Sequence, residues 1–266
     1  MIIIRGGGDL ATGTVYKLHQ CGYEVLILET VRPTAIRRKV AFCEAVYDGS
    51  FQVEGAVCQK VDTKEQCIEA WKEHKIPLMV DPDGKMIKEM QPEAVIDAVL
   101  AKKNLGTTKD MAKLTIALGP GFIAGEDVDY VIETKRGHRL GRVIEKGSAI
   151  ANTGVPGMIG GYGAERVIHA PAAGTIQVLA KIGSIVKKGQ VLARIGDVSV
   201  YATLDGVLRG MIRDGFEVKK GLKIADIDPR IEEKDNCTTI SDKARCIAGG
   251  VLEVLVRNQV YGNIYP

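Results

Sequence analysis

The first thirty residues alternate between apolar runs and a glycine-rich turn. Residues 2–4 are three isoleucines, and a continuous β-branched run is typical of a strand buried on both faces. Leu10, Val15 and Leu18 then recur at broadly helical spacing, and residues 25–28 are again apolar. The pattern therefore predicts a strand, a tight turn, a helix and a second strand.

The same alternation continues to about residue 118. The pattern predicts helices at 35–46, 64–74 and 92–103, and strands at 53–61, 76–80 and 114–118. Pro92 suits the first turn of a helix, where its missing N–H would have no acceptor. Strands that alternate with helices favour a parallel sheet with helices on both faces. The sequence thus predicts an α/β fold whose first region, 1–118, is a Rossmann-like parallel sheet.

A repeat follows, in a stretch where glycines are frequent and helical periodicity is absent. Three pairs of equivalent positions, each 32 residues apart, are Gly174 and Gly206, Gly183 and Gly215, and the Val-Lys-Lys-Gly blocks 186–189 and 218–221. Each copy reads as short strands broken by glycine turns. One copy alone has open edges and half a core, so the two copies are predicted to pair into one small β domain.

The remaining divisions follow from these elements. A glycine-rich connecting region occupies 119–167, a β-rich module occupies 168–230, and a C-terminal helix with a tail occupies 231–266. One apolar helical face is formed by Ala244, Ile247, Ala248, Val251, Leu252 and Leu255. Ser241 precedes this face at the position of an N-cap.

Charge and cysteine usage exclude several classes of function. The 36 basic and 33 acidic residues give a net charge of +3, which provides no electrostatic reason for a nucleic-acid partner. No apolar run approaches the roughly 18 residues of a membrane helix, and residues 1–8 lack a signal-peptide pattern. We therefore expect a cytoplasmic protein without a membrane partner. The six cysteines have no C-x-x-C spacing, so reduced thiols and no metal site are expected.

The turn after the first strand matches a dinucleotide-binding pattern, G-x-G-x-x-A. Its members are Gly6, Gly7, Gly8, Asp9, Leu10 and Ala11. Such glycines allow a tight turn and close approach of the backbone to a pyrophosphate, which the helix amides then face. Glu29 ends the second strand, where an acid can accept hydrogen bonds from a ribose. The alternative is that these glycines serve only the geometry of the turn.

If a dinucleotide binds, Glu29 would repel a 2′-phosphate and favour NAD over NADP. Arg37 and Arg38 follow closely and weaken that argument, because a guanidinium can hold a phosphate. These arginines can equally form the exposed face of a helix. NAD or another nucleotide is therefore the expected cofactor.

Two further glycine-rich segments have the same two interpretations. Gly119–Phe122 follows a predicted buried strand, where ligands of α/β sheets bind, and residues 152–163 contain five glycines. Their amides can face an anion, or the glycines can be turns that need positive φ.

Cys43 is the candidate for thiol chemistry. It follows Arg37, Arg38 and Lys39, and a thiolate near positive charge has a lowered pKa and is nucleophilic. The alternative is a buried cysteine that packs as a small apolar residue.

The combined motifs resemble the YqeB family. They are residues 5–13, the Ile-Arg-Arg-Lys-Val run 36–40 leading to 44–49, the Leu-Gly-Pro-Gly-Phe run 118–122, and the Asn-Thr-Gly-Val-Pro-Gly run 152–157. The resemblance covers nearly the whole chain. It implies an accessory factor in the maturation of a selenium-dependent molybdenum hydroxylase, with that hydroxylase or its maturation machinery as partner. It supplies no catalytic residue.

The repeat is similar to the barrel-sandwich hybrid fold of biotinyl and lipoyl domains. Those carriers present a modified lysine on the hairpin between their halves, but the corresponding residues here, 196–201, contain no lysine. No covalent lipoyl or biotinyl group is therefore expected.

Three functions remain open. The first is a maturation factor that binds a nucleotide or dinucleotide. The second is an NAD-dependent oxidoreductase similar to sirohaem-synthesis dehydrogenases, although no acid–base pair stands beside the glycine turn. The third is a non-catalytic scaffold that docks onto a hydroxylase.

Overall fold

The computed structural model describes residues 1–152, 154 and 157–262. Contacts divide the chain into two compact units. The sheet unit comprises Met1–Pro33, Ala41–Thr153 and Ile240–Pro266, and the β unit comprises Thr34–Val40 and Gly154–Thr239. Each unit is thus built from separate stretches of chain, whereas the sequence predicted four consecutive regions.

One large sheet organises the sheet unit. Its strands are β1 (Ile2–Arg5), β2 (Val25–Glu29), β3 (Ser50–Val53), β4 (Ala56–Val61), β5 (Ile76–Val80), β6 (Ala94–Asp97), β7 (Leu114–Leu118), β8 (Tyr130–Ile132) and β9 (Val143–Ile144). The helices are α1 (Asp9–Gln20), α2 (Ala45–Asp48), α3 (Lys64–Lys72), α4 (Lys85–Met90) and α5 (Asp242–Arg257).

The nine strands lie in the order β3-β4-β5-β2-β1-β6-β7-β8-β9. Neighbours from β4 to β8 pair in parallel, while β3 and β9 pair antiparallel at the two edges. The sheet is therefore mixed, and the prediction of a Rossmann-like parallel sheet is wrong.

The connections explain the correction. A doubly wound fold places a helix at each crossover, but the residues between β6 and β7 contain only a 3-10 turn at Lys109–Met111, and those between β7 and β8 contain no helix. The segment predicted as the helix 92–103 instead supplies β6. Its apolar run is short, and a short buried run has no period that separates a strand from a helix. The helix predicted at 35–46 is likewise absent, replaced by 3-10 turns and the four-residue α2.

The C-terminal helix belongs to the sheet unit and not to a separate region. A Cβ added at Gly13 of α1 would lie 2.6 Å from the Cβ of Ala244, so α1 and α5 pack with their backbones close together. The Ser241 hydroxyl accepts a hydrogen bond from the Ala244 N–H at 3.2 Å, which confirms the predicted N-cap. The predicted apolar face is buried except for Leu252, which is half-exposed.

The β unit contains two antiparallel sheets. Its strands are β10 (Val167–His169), β11 (Gly174–Val178), β12 (Ile185–Val186), β13 (Val191–Ile195), β14 (Val198–Tyr201), β15 (Gly206–Met211), β16 (Glu217–Val218) and β17 (Lys223–Asp228). One sheet has the order β10-β17-β15-β12 and the other has the order β14-β13-β11-β16.

The 32-residue offset of the sequence repeat relates β10–β13 to β14–β17. Each sheet takes two strands from each copy, so neither copy can complete a sheet by itself. Side chains from both copies form one apolar cluster that includes Ile176, Val186, Leu208 and Ile224. The two copies therefore pair through exchanged strands, and Thr34–Val40 joins the same unit.

Among the described residues, none of the helices has the length and apolar character needed to cross a bilayer.

Candidate functional site

The glycine-rich turn connects β1 to α1 at the carboxyl end of the parallel strands. Gly6 has a φ of +94°, and a Cβ on it would lie 3.0 Å from the Ala98 carbonyl oxygen. A Cβ on Gly7 would lie 3.0 Å from the backbone nitrogen of Cys43. Backbone packing therefore requires glycine at positions 6 and 7. This agrees with the alternative interpretation that these two glycines serve the geometry of the turn.

Gly8 differs from its two neighbours. A Cβ on Gly8 would meet no atom within 4 Å, and its φ of −65° is accessible to any residue. It is the N-cap of α1 and provides no side-chain acceptor for the helix. The amides of Asp9, Leu10 and Ala11 belong to the first turn, where backbone donors have no acceptor within the helix. Open space thus adjoins the helix end at Gly8.

Glu29, the last residue of β2, binds the glycine-rich turn through its carboxylate. Its Oε2 accepts a hydrogen bond from the Gly7 N–H at 2.7 Å, and its Oε1 accepts one from the Thr30 N–H at 2.7 Å. Burial raises the pKa of the carboxyl group, and the two backbone hydrogen bonds oppose this shift. Both oxygens therefore already hold the turn, in the place where the sequence predicted contacts with a ribose.

Thr12 also holds the turn, a role that the sequence did not indicate. Its buried hydroxyl donates to the Gly7 carbonyl at 3.3 Å and accepts from the Phe42 N–H at 2.9 Å. The Cys43 N–H donates to the same Gly7 carbonyl at 2.9 Å. The segment after residue 41 is thereby fixed against the turn.

Cys43 has the opposite chemistry from the one predicted. The residue is 1% exposed. Burial raises the pKa of its thiol well above the ordinary value, and Glu29, Glu44 and Asp9 raise it further. The prediction of a lowered pKa from Arg37, Arg38 and Lys39 is wrong, because burial has the largest effect on the thiol and the charged residues that add to it are acidic.

Arg37 and Arg38 lie in the β unit, where both bind backbone carbonyls. The Arg37 Nη2 donates to the carbonyls of Asn236 and Thr239, each at 3.2 Å. The Arg38 Nε donates to the Met211 carbonyl at 2.9 Å. These guanidinium groups anchor the segment 34–40 within that unit.

In the segment Gly119–Phe122, the structure indicates that the glycines are needed for the geometry of the turn. Gly119 and Gly121 have φ of +80° and +112°, and a Cβ on either would lie 2.6 Å from another residue, Thr134 or Lys103. The segment 152–163 falls partly outside the described residues, which omit positions 153, 155 and 156.

Buried polar groups line the carboxyl end of the sheet, and most were missed by sequence reasoning. The Arg5 guanidinium, at the end of β1, lies 3.7 Å from Asp97 at the end of β6, and Thr107 hydrogen-bonds both. Glu133 follows β8 and accepts from the N–H groups of Lys135 and Ile150 at 2.7 and 2.8 Å. These acids bind loop amides, and that role depends on loop positions that no local pattern encodes.

Lys243 is the cation that sequence reasoning missed. It lies half-buried in the first turn of α5. Burial and, next, the nearby Arg136 lower the pKa of its ammonium group, while Asp9, Glu133 and Asp242 oppose the shift. Arg136 itself forms a bidentate pair with Asp242, at 2.7 and 2.9 Å. The opposing contribution of Asp9 places this charge within electrostatic range of the start of α1.

Lys243 has no hydrogen-bond or ion-pair partner within the described part of the chain. The burial of Lys243 carries a desolvation cost, which Asp9, Glu133 and Asp242 offset in part and which an anionic ligand would offset further. No cluster of side chains able to hold a metal ion occurs within the described residues. The arrangement thus offers backbone amides, open space at Gly8 and one cation.

Solved structures show only weak similarity to this one. An ectoine utilization protein EutE (DoeB) of Ruegeria pomeroyi, in a product-bound structure, has a TM-score of 0.24 and 10% identity, with coverage of 85% of this chain and 56% of that chain. An aspartoacylase family protein of Mesorhizobium loti has a TM-score of 0.29 and 12% identity, with coverage of 85% and 83%. TM-scores this low carry no argument about the present chain.

Sequence comparison is more informative. No family model matches the chain. The chain is 50% identical over 256 residues, 96% of its length, to the uncharacterized protein YqeB of Escherichia coli K12. It spans 47% of that relative's length. The chain is therefore similar, over nearly its whole length, to about half of that relative.

Proposed function

We propose that this chain is an accessory factor that binds a phosphate-bearing ligand, of the nucleotide or dinucleotide class, at Gly8 and the start of α1. The observation that carries the proposal is the open space at Gly8, together with the half-buried Lys243, whose charge interacts with that of the adjacent Asp9. Helix amides and a cation are together the usual means of holding a phosphate.

The site supports anion binding more than ribose recognition. Glu29 already accepts hydrogen bonds from the turn through both oxygens. Asp9, in the first turn of α1, opposes an anion, so the cation at Lys243 has to outweigh it. The proposal therefore concerns the phosphate and leaves the base and sugar unspecified.

The role in maturing a selenium-dependent molybdenum hydroxylase is proposed from the YqeB resemblance. Its active element would be the phosphate site and not Cys43, because Cys43 is 1% exposed and burial raises the pKa of its thiol, which disfavours the reactive thiolate.

Calorimetric titration with pyrophosphate and with ADP tests the binding site. Lys243→Gln removes the cation, and Gly8→Val places a side chain in the open space without a strained φ. Each change is expected to weaken binding by about tenfold, or about 1.4 kcal/mol. Lys17→Gln, in the last turn of the same helix, is the matched control and should bind as the unmodified protein does. If the Gly8→Val and Lys243→Gln proteins are folded and bind both ligands with unchanged affinity, the proposed site is wrong.

The hydroxylase role requires a separate assay in a host that lacks the native protein. Gly8→Val is expected to reduce hydroxylase activity and its selenium content, whereas Cys43→Ser should support both. Normal activity with Gly8→Val would contradict the maturation role even if calorimetry confirmed the phosphate site.

A further inference from the structure

A pocket of about 640 Å³ lies in the β unit. Residues 182–185, which lead into β12, form one wall, and residues of the 3-10 segment Ile231–Thr238 form another, with Lys39 beside them. The volume lies within the range of about 300–1,000 Å³ that small-molecule sites occupy. Every residue that lines it belongs to the β unit, so the pocket is independent of the turn at Gly8.

The two copies of the repeat differ at one residue that lines the pocket. Ser184 in the first copy corresponds to Phe216 in the second, because the two are 32 residues apart. Phe216 is buried in the apolar cluster of the unit. The same backbone position therefore carries a buried ring in one copy and a hydroxymethyl group at a pocket wall in the other.

The lining combines apolar surface with positive charge. Ile182 and Ile185 provide the apolar wall. Lys39 and Lys234 have no hydrogen-bond or ion-pair partner among the residues that the structure describes. Asp235 is the one acid in the lining, so the lining carries a net positive charge.

Positive charges near the pocket also affect the pKa of the buried Cys237 thiol. Burial raises its pKa, whereas Arg37, Arg209 and Lys39 act in the opposite direction, with Asp228 raising it slightly. Three of the four charged groups that affect the sulfur are cations. An anion placed in the pocket would experience that attraction as well.

We propose that this pocket binds a small organic anion, with its carboxylate or phosphate group held by Lys39 and Lys234 and its apolar part against Ile182 and Ile185. The Ser184 hydroxyl, which has no hydrogen-bond partner within the described residues, supplies one further donor. The ligand class follows from the lining, because a fully hydrated inorganic ion would leave the isoleucine wall unused.

Fluorescence titration with 8-anilinonaphthalene-1-sulfonate tests the pocket, since this probe joins an anionic group to aromatic rings. The unmodified protein is expected to bind it saturably. Hexanoate and hexyl phosphate are then added as competitors to separate the carboxylate and phosphate head groups. Displacement of the probe by either competitor supports the proposal. The proposal is overturned if the probe does not bind saturably or if neither competitor displaces it.

Ser184→Phe is the decisive variant, because the second copy already accommodates phenylalanine at the equivalent position. It is expected to weaken probe binding by at least about tenfold. The double change Lys39→Gln and Lys234→Gln leaves the pocket volume intact and should weaken binding by about threefold to tenfold. Lys220→Gln removes a charge from the same unit outside the lining and serves as the control.

Circular dichroism of each variant establishes that it is folded. If Ser184→Phe does not fold, the lysine double variant alone decides the question. Probe affinity that is unchanged in a folded Ser184→Phe protein, or unchanged in the lysine double variant, overturns the proposal.

Discussion

The two copies of the repeat in the β unit share a backbone but differ in their polar chemistry. Gly189 and Gly221 occupy equivalent turns and have the same φ of +83°. The strands that follow diverge, because Arg194 of β13 is exposed whereas its equivalent in β17, Asp226, is buried. Turn geometry is therefore common to both copies, whereas the buried charge at this strand position is specific to the second copy.

The buried charge of the second copy belongs to a network. The Arg166 Nη2 donates to both carboxylate oxygens of Asp226, at 3.0 and 3.2 Å, and the Arg209 Nη1 lies 3.5 Å from the same carboxylate. Asp228 pairs with Arg230 at 2.8 Å. A repeated strand pattern thus specifies where a side chain points, while its neighbours decide whether a charge there is tolerated.

The lysine turns show the reverse asymmetry. At the lysine turn of the first copy, Asp205 of the second copy accepts hydrogen bonds from the Lys187 ammonium and the Lys188 N–H, at 3.0 and 2.8 Å. The position equivalent to Asp205 beside the second lysine turn is Ala173. The first lysine turn therefore has an acidic partner that the second lysine turn lacks.

The largest difference is expected between Gly206→Ala and Gly174→Ala. A Cβ at Gly206 would lie 2.2 Å from the carbonyl oxygen of Asp228, which is paired backbone, whereas a Cβ at Gly174 would lie 3.2 Å from a methyl of Ile195. Gly206→Ala should cost about 5 kcal/mol or prevent folding of the unit, and Gly174→Ala about 1–2 kcal/mol. Urea unfolding measures both, and equal losses would show that the clash relaxes.

The second-largest difference in stability is expected when the buried carboxylate of Asp226 is removed. Asp226→Ala leaves the buried Arg166 without its carboxylate partner, which is expected to cost about 3–4 kcal/mol. Arg194→Ala, at the equivalent exposed position, should change the free energy of unfolding by less than about 0.5 kcal/mol. Similar effects at the two positions would contradict a network confined to the second copy.

The pair Phe216 and Ser184 is expected to rank third. Phe216→Ala removes a ring from the apolar cluster and should cost about 2–3 kcal/mol, below the value for a completely enclosed ring. Ser184→Ala, at the pocket wall, should leave the unfolding midpoint within error. A large loss at Ser184 would mean that this wall is packed and would weaken the case for an open pocket.

The smallest effect concerns the exposed acid of the first lysine turn. Hydrogen bonds from Lys188 and Lys187 lower the pKa of Asp205 below its ordinary value of 3.8. The contribution of Asp205 to stability is therefore present at neutral pH and is lost as the pH falls through this lowered pKa. Thermal midpoints of Asp205→Asn and the unmodified protein should differ slightly at neutral pH, and the difference should shrink as the pH falls below the ordinary range of an aspartate.

Ala173→Asp would build the same acid beside the second lysine turn. We expect this variant to gain a small, pH-dependent stability of the same sign as the contribution of Asp205. A loss of stability at neutral pH would show that the two lysine turns are not electrostatically equivalent.

Several elements followed from local pattern alone. The isoleucines of β1 and the N-cap at Ser241 act within a few residues, so the strand and the start of α5 were predictable. The repeat was predictable because its glycine turns recur in one register. The helix predicted at 92–103 failed because Val95 and Ile96 are buried in the sheet between β1 and β7, and no local feature distinguishes that burial from a helix face.

The candidate site was less predictable than the fold. The motif located the turn, but Glu29 binds the turn amides and Cys43 lies among acidic groups. Lys243 stands more than 200 residues from Gly8 in the sequence, and the packing of α5 against α1 gives it a place in the site. Charges brought together by packing cannot be inferred from spacing, because the field at a group depends on distance in space.

The sequence by itself determined the strands β1, β2, β5 and β7, the repeat with its 32-residue offset, and the presence of a glycine turn before α1. The tertiary structure decided the mixed order of the sheet, the exchange of strands between the copies, and which glycines are packed and which is open. The reason is physical: conformational preference and apolar period act over a few residues, whereas strand partners, burial and electrostatic neighbours are set by segments far apart in the chain.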